Sequence, residues 1–243
     1  MRPRILPPEG VHQGDLILVN PRHPYHPAPR ADLVPVAGSG VLLERRAAQA
    51  LEGLMAAIGD GWKAIVPVSG WRAQEEQQAI WDGSLQENGL AFTRTYVARP
   101  GCSEHQTGLA IDLGENRPEV DFLCPAFPDS GPCGALRRRA AEFGFVLRYP
   151  AGKEAVTGIG HEPWHFRYVG LPHARIMEDR GLVLEEYLAW LRAFPPEAPL
   201  DAGGYSLCRL PAGGEAVPAP GGRWKLEDTN DGGAVLTVWR DRP

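Results

Sequence analysis

The 243-residue sequence has no long apolar run, no basic excess and no paired-cysteine motif, and each lack removes a class of function. Its longest apolar stretches, such as Leu16 to Val19 and Ile65 to Val68, fall far short of the ~20 residues that a membrane-spanning helix needs. Met1 to Gly10 carries two arginines and then prolines, in place of the apolar core and small-residue cleavage site of a secretory signal, so the expected location is cytoplasmic. The net charge of −5 leaves no surplus to neutralise a phosphate backbone, which argues against nucleic acid as a partner. Cys102, Cys124, Cys133 and Cys208 form no CxxC pair, so neither a zinc knuckle nor a thioredoxin-like motif is supported. Reduced thiols are expected, with a Cys124–Cys133 bridge conceivable only in an oxidising compartment. No internal repeat or low-complexity tract is present.

What is present reads as one globular domain with an appendage: 43% of residues are hydrophobic and 23% charged, enough for a sizeable core. Residues 1 to 41, rich in proline and histidine, are expected to form an irregular arm with one strand-like run at Leu16 to Val19. Leu42, Ala48, Leu51, Leu54, Met55 and Ile58 recur at helical spacing and predict an amphipathic helix before Gly59. Trp62 to Ser69 predicts a buried strand, and Gly70 to Arg72 turns it into a helix from Ala73 to about Trp81. Further strands are expected at 108–113, 145–149 and 164–169, and helices at 135–143, 173–180 and 184–193. Arg137 to Arg139 is read as a solvated helix face.

Because strands and helices mix without βαβ alternation, the expected fold is α+β, a central antiparallel sheet flanked by helices. The expected domains are residues 1–193, a linker over 194–204 with proline-rich composition, and a small β-hairpin appendage over 205–243 around Thr229 to Gly233. Such a hairpin is too small to fold alone and is expected to dock on the main body.

Two segments carry chemistry. In Ser103-Glu-His-Gln-Thr-Gly-Leu-Ala-Ile-Asp112 an aspartate sits in an apolar strand, where an unpaired carboxylate is costly, so it needs a cation or several donors. A metal held with His105 is one answer; a salt bridge to Asp112 and a hydrogen-bonded loop histidine is the other, and this segment alone leaves both open. His161-Glu-Pro-Trp-His165 spells the HExxH of helical zinc proteases, but a helix-interior proline costs about 3 kcal/mol, and Trp164 to Val169 is β-rich. The segment therefore predicts extended backbone, with a bend at Pro163 that lets Glu162 and His165 face one cleft. His161 becomes a neighbour rather than a ligand. Two histidines and one aspartate would leave an open zinc position, the arrangement of a catalytic site.

Ser69-Gly-Trp-Arg72, Ser103-x-His-x-x-Gly-x-Ala-x-Asp112 and Glu162-Pro-Trp-His165, in this order, resemble the D-alanyl-D-alanine carboxypeptidases and dipeptidases of the VanY and VanXY type. The resemblance covers roughly residues 15 to 193. It implies a D,D-peptidase/hedgehog-like fold and one catalytic Zn2+ on His105, Asp112 and His165, with Glu162 as base. It further implies that Arg72 binds the scissile carbonyl, that Ser103 binds the substrate carboxylate and that Gln77 lines the pocket. Trp164, between base and ligand, is placed among the substrate-contacting residues. Trp71 stands where the family more often has tyrosine or phenylalanine, and His161 precedes the glutamate where an aromatic residue is common. The implied partner is a D-Ala-terminated cell-wall peptide or the D-Ala-D-Ala dipeptide. The alternatives are L,D-carboxypeptidase action on tetrapeptide stems and a non-catalytic zinc module that binds peptidoglycan.

Overall fold

The computed structural model describes residues 4–5, 14–26, 32–59, 61–213, 217–218 and 221–240. Most of the arm expected over 1–41 before Gly14 lies outside the described residues. The chain divides into two compact units, residues 19–183 and residues 1–18 with 184–243.

The larger unit opens with a two-stranded pair, β1 (Leu33–Pro35) and β2 (Leu42–Glu44), and runs directly into α1 (Arg45–Ala57). Glu44 caps that helix by accepting from the backbone N–H groups of Arg46 and Ala47, which have no intrahelical partner. Its Ala47, Ala48, Leu51, Leu54 and Met55 form one buried stripe. A four-residue helical turn at Gly61–Ala64 replaces the start of the expected strand, and β3 (Ile65–Ser69) follows.

Helix α2 (Gln74–Tyr96) runs well beyond the expected end at Trp81, with a break at Gly89, whose φ of 78° suits glycine. The excess length was not visible as periodicity because the buried positions, Gln77, Ser84 and Thr93, are polar. A 3-10 turn (Glu104–Thr107) leads into β4 (Ala110–Glu115), and α3 (Gly131–Arg139), β5 (Phe145–Tyr149), β6 (Glu162–Tyr168) and α4 (His173–Arg180) complete the unit.

The sheet is antiparallel throughout, in the order β3-β4-β6-β5. Pro67 is tolerated because β3 is an edge strand, where a missing N–H costs no central pairing. Register places Asp112 opposite both Ser69 and His165. Two irregularities interrupt the ladder, one between Pro67 and Ser69 and one between Leu147 and Tyr149. In the second, Leu147 pairs Phe166 and Tyr149 pairs Glu162, so residues 163–165 bulge from the regular pairing.

The Arg137 to Arg139 run is not the solvated face that was expected. Arg137 donates to the carbonyls of Phe127 and Pro163 and pairs with Asp129, and Arg139, partly exposed, donates to the carbonyl of Ala57 and pairs with Glu142, so of the three Arg138 alone lacks such a backbone anchor among the described residues.

The second unit comprises α5 (Leu184–Leu191) and a four-stranded antiparallel sheet of β7 (Leu200–Asp201), β8 (Tyr205–Pro211), β9 (Trp224–Asp228) and β10 (Gly233–Trp239), in the order β9-β10-β8-β7. The expected hairpin is β9–β10, closed at Thr229 to Gly233. The stretch read as a linker carries β7, and its Phe194 carbonyl accepts from Arg209 on β8, so backbone pairing ties it to the sheet. Leu210 and Leu236 centre its core. Leu16 to Leu18 is buried but is not a strand; the Asn230 side chain bonds both the N–H and the carbonyl of Leu18, at 2.7 Å each, and replaces strand pairing. All four cysteines are free thiols.

Candidate active site

The site is assembled where the β3–α2 turn meets the centre of the sheet. Gly70 is required there by close approach: a Cβ would stand 2.2 Å from the Leu42 carbonyl oxygen. That same carbonyl accepts from Trp71 N–H at 2.6 Å, which pins the turn to β2. The Gly70 carbonyl in turn lies 2.6 Å from His105 Nδ1 and can only accept, so Nδ1 carries the proton and Nε2 the lone pair.

His105 Nε2 faces Asp112 Oδ2 at 3.1 Å, and His165 Nδ1 faces Asp112 Oδ1 at 2.9 Å. Burial, reinforced by the Arg72 charge, lowers the His105 pKa to about 4, so near neutral pH its ring is uncharged and two acceptors oppose each other across that gap. Such a pair calls for a cation between them. For His165 burial opposes charge, but Asp112 outweighs it and holds the pKa up to about 9; the carboxylate attracts a proton or a metal ion to the same place. Burial also works against the Asp112 carboxylate, and the two histidines overcome it and hold its pKa well below the ordinary range.

Among the described residues, His105, Asp112 and His165 form the group with metal-ligand potential: their donor atoms lie within 4.8 Å of one another and all three side chains are buried. Tetrahedral ligands ~2.1 Å from zinc sit ~3.4 Å apart, and the two histidine–aspartate gaps, 3.1 and 2.9 Å, are near that spacing.

Glu162 opens β6, and the bulge over 163–165 turns it to the same side as His165, three residues on, with Oε2 3.6 Å from Nδ1. Without that irregularity the two would point to opposite faces. Burial pushes the Glu162 pKa up to about 8; the Asp112 charge adds to this and the His165 and Arg72 charges oppose it. His161 stands outside the group, exposed, with Nδ1 donating to the Tyr149 carbonyl at 3.0 Å.

Arg72 is 8% exposed and held on three sides: Nε donates to Ser69 Oγ at 2.9 Å, Nη1 to Gln77 Oε1 at 2.9 Å and Nη2 to Asp112 Oδ2 at 3.0 Å. Of its five N–H groups, two remain for an incoming oxygen. Gln77 is fixed by donating to the Ala98 carbonyl, so it both lines the cavity and aims Arg72. Ser103 and Trp164 border the same cavity, of about 40 Å³. The structure thus brings Arg72, Gln77, Ser103, His105, Asp112, Glu162, Trp164 and His165 around one cavity, with His161 outside it.

Two were missed. Tyr149 lies against His165, ring centroids 4.9 Å apart, and buried Glu104 sits between Arg148, Arg167 and His165. A signal for the latter existed: Arg148 and Arg167 are lone charges in apolar strands and require a buried partner.

Comparison with known proteins then places the chain. The family model described as VanY, D-alanyl-D-alanine carboxypeptidase, matches residues 40–171. A curated relative from Enterococcus gallinarum, the bifunctional D-Ala-D-Ala dipeptidase and D-Ala-D-Ala carboxypeptidase VanXYC, is 44% identical over 72% of this chain and 94% of its own length. The chain belongs to the VanY family of D-alanyl-D-alanine carboxypeptidases.

Within the family, the solved vancomycin resistance D,D-dipeptidase VanXYG, in complex with a D-Ala-D-Ala phosphinate analogue, superposes with a TM-score of 0.94 at 42% identity. That match covers 99% of this chain and 100% of the other. It confirms the α+β D,D-peptidase fold and extends over the C-terminal strands, which the sequence resemblance had left outside. A single-site mutant of the vancomycin resistance D,D-pentapeptidase VanY from a VanB-type resistance cassette, solved with Zn(II), matches with a TM-score of 0.58 at 35% identity, covering 72% of this chain and 98% of that one. No helix among the described residues is long and apolar enough to cross a membrane.

Proposed function

We propose that this chain is a zinc-dependent D,D-peptidase that hydrolyses the terminal D-Ala bond of D-Ala-D-Ala, free or at the end of a cell-wall stem peptide. The observation that carries this reading is the buried convergence of His105, Asp112 and His165 with Glu162 and Arg72 on one small cavity. His105 through Nε2, His165 through Nδ1 and Asp112 through a carboxylate oxygen would hold one Zn2+. When bound, the ion supplies a water whose pKa falls toward about 7 and a Lewis acid for the scissile carbonyl.

The chain's own residues do the rest. Glu162 takes the proton of the attacking water and delivers it to the leaving amine; its raised proton affinity suits a group that must accept and then give near neutral pH. Arg72 offers its two remaining N–H groups to the oxygen on which negative charge grows, in a buried position where such donors are worth on the order of 3 kcal/mol. Gln77 and Ser69 keep that guanidinium from turning away. The Ser103 hydroxyl, 2% exposed as a residue and without a protein partner among the described residues, receives the C-terminal carboxylate of the substrate. Trp164 closes the cavity wall and excludes water from the scissile bond.

The test offers zinc-loaded protein D-Ala-D-Ala, a pentapeptide stem and a tetrapeptide stem, and measures released D-alanine. Release from the first two is expected, abolished by a chelator, restored by zinc and lost in Glu162→Ala with zinc still bound. Release from the tetrapeptide alone would replace the reading with L,D-carboxypeptidase action. No release from any of them by wild type would leave a binding module.

A further inference from the structure

Glu104, Arg148 and Arg167 form a buried charge cluster that the chemistry above does not use. Arg148 on β5 and Arg167 on β6 are 1% and 0% exposed, and Glu104 is 2% exposed. Burying three such charges is unfavourable unless they are paired with good geometry. The pairing is one-sided. Glu104 Oε1 accepts from Arg148 Nε at 2.8 Å and lies 3.0 Å from Arg167 Nη1, so both arginines converge on a single oxygen. A carboxylate that served only to balance arginines would engage them through both oxygens in a fork.

Oε2 instead points away and has no hydrogen-bond partner. It faces His165 Nε2 at 3.8 Å, and that nitrogen is also buried without a partner. The gap exceeds a hydrogen bond by roughly 1 Å, so a direct contact requires the ring and the carboxylate to close by that much. Tyr149 packs beside both partners: its ring lies 4.9 Å from that of His165, and the Arg148 guanidinium stands 4.9 Å from its centroid.

A histidine that offers Nδ1 to a metal carries its proton on Nε2, and that buried N–H needs an acceptor. We infer that Glu104 is the positioning residue for His165: its free oxygen accepts from Nε2, which selects the tautomer that presents Nδ1 to the metal position, while Arg148 and Arg167 keep the carboxylate charged and in place. The device is economical in the chain. Glu104 immediately precedes His105 in the same 3-10 turn, so one turn sets two ligands, the first by its own ring and the second through its neighbour.

This inference rests on the zinc reading, and its test reads the metal site directly. Zinc affinity is measured by competition with a chromophoric chelator, and the visible absorption of the Co2+-substituted protein reports ligand geometry. Glu104→Gln keeps an oxygen for the arginines but turns an amide NH2 toward Nε2–H, donor against donor. Zinc affinity is expected to fall 10- to 100-fold, with an altered cobalt spectrum. Should Glu104→Gln fail to fold, Glu104→Asp retains the charge while withdrawing the oxygen from His165, and the same loss is expected. A folded variant with wild-type zinc affinity and an unchanged cobalt spectrum overturns the inference and leaves Glu104 as a counter-ion only. Wild type that binds no zinc overturns the zinc reading itself, a different result from either.

Discussion

Gly70→Ala makes the sharpest demand on the site's construction. A Cβ there would lie 2.2 Å from the Leu42 carbonyl oxygen and 2.8 Å from Val41 Cγ1, so turn and strand must part by roughly 1 Å. Neither yields freely, since the Leu42 carbonyl already accepts from Trp71 N–H at 2.6 Å. Overpacking of this kind costs about 1–3 kcal/mol, and loss of the Trp71 hydrogen bond adds about 1 kcal/mol. The melting temperature should fall on the order of 5–15 °C. The displaced Gly70 carbonyl also releases His105 Nδ1, so zinc affinity should drop on the order of 10- to 100-fold even below the melting transition. Differential scanning calorimetry and chelator competition read the two effects separately. Gly83→Ala is the control: a Cβ there meets nothing within 4 Å and the helix gains, so stability should hold or rise by about 0.5–1 kcal/mol. Gly70→Ala with wild-type melting and zinc affinity would refute the argument that this glycine builds the ligand.

Arg72→Lys should retain zinc while kcat falls on the order of 10²- to 10³-fold, because one ammonium cannot reach Ser69, Gln77, Asp112 and a substrate oxygen together; unchanged turnover would remove Arg72 from the reaction. In the second unit, burial works to raise the Asp231 pKa, but Thr229, Arg209 and Arg192 bring it below the ordinary value. A folded pKa below the unfolded one stabilises at pH above about 4 and loses that contribution as pH falls through the folded value, so the stability gap between wild type and Asp231→Asn should hold near neutral pH and narrow as pH falls below about 4; a gap constant with pH would contradict it. Asn230, at φ 47° with both amide atoms on Leu18, should cost about 2–4 kcal/mol as Asn230→Ala in urea unfolding, and Asn230→Gly should recover only about 1 kcal/mol, the backbone share.

The parts legible in the sequence were those whose physics is local. Proline at 163 forbids a helix whatever surrounds it, so β6 and the demotion of His161 could be read directly. The apolar stripe of α1 and the buried aspartate of β4 likewise declare themselves by periodicity and by misfit. Where contacts are distant in sequence the reading failed. Leu16 to Leu18 resembles a strand, but its partner is a side-chain amide 212 residues away. Arg137 and Arg139 resemble a solvated face because nothing nearby shows the carbonyls of Phe127, Pro163 and Ala57 awaiting donors. Glu104 is the instructive case: it lay inside a recognised motif, yet only the arrival of Arg148 and Arg167 from two strands showed its role.

Regular and irregular parts of the sheet divide the labour. Regular pairing of β4 with β6 sets Asp112 opposite His165, and with the 3-10 turn this suffices for a metal site. Chemistry needs the departures from regularity: the irregularity before Ser69 precedes the turn that delivers Arg72, and the bulge over 163–165 delivers Glu162. The two contributions should therefore separate on substitution. Pro163→Val favours a continuous strand, in which Glu162 returns to the face opposite His165. Zinc affinity should remain close to wild type, since His165, although within the bulge toward β5, is held opposite Asp112 by the regular β4–β6 pairing, while kcat falls at least on the order of 10²-fold through loss of proton transfer. A Pro163→Val enzyme with full turnover would show that the bulge is held by something other than this proline and that Glu162 reaches the cleft without it.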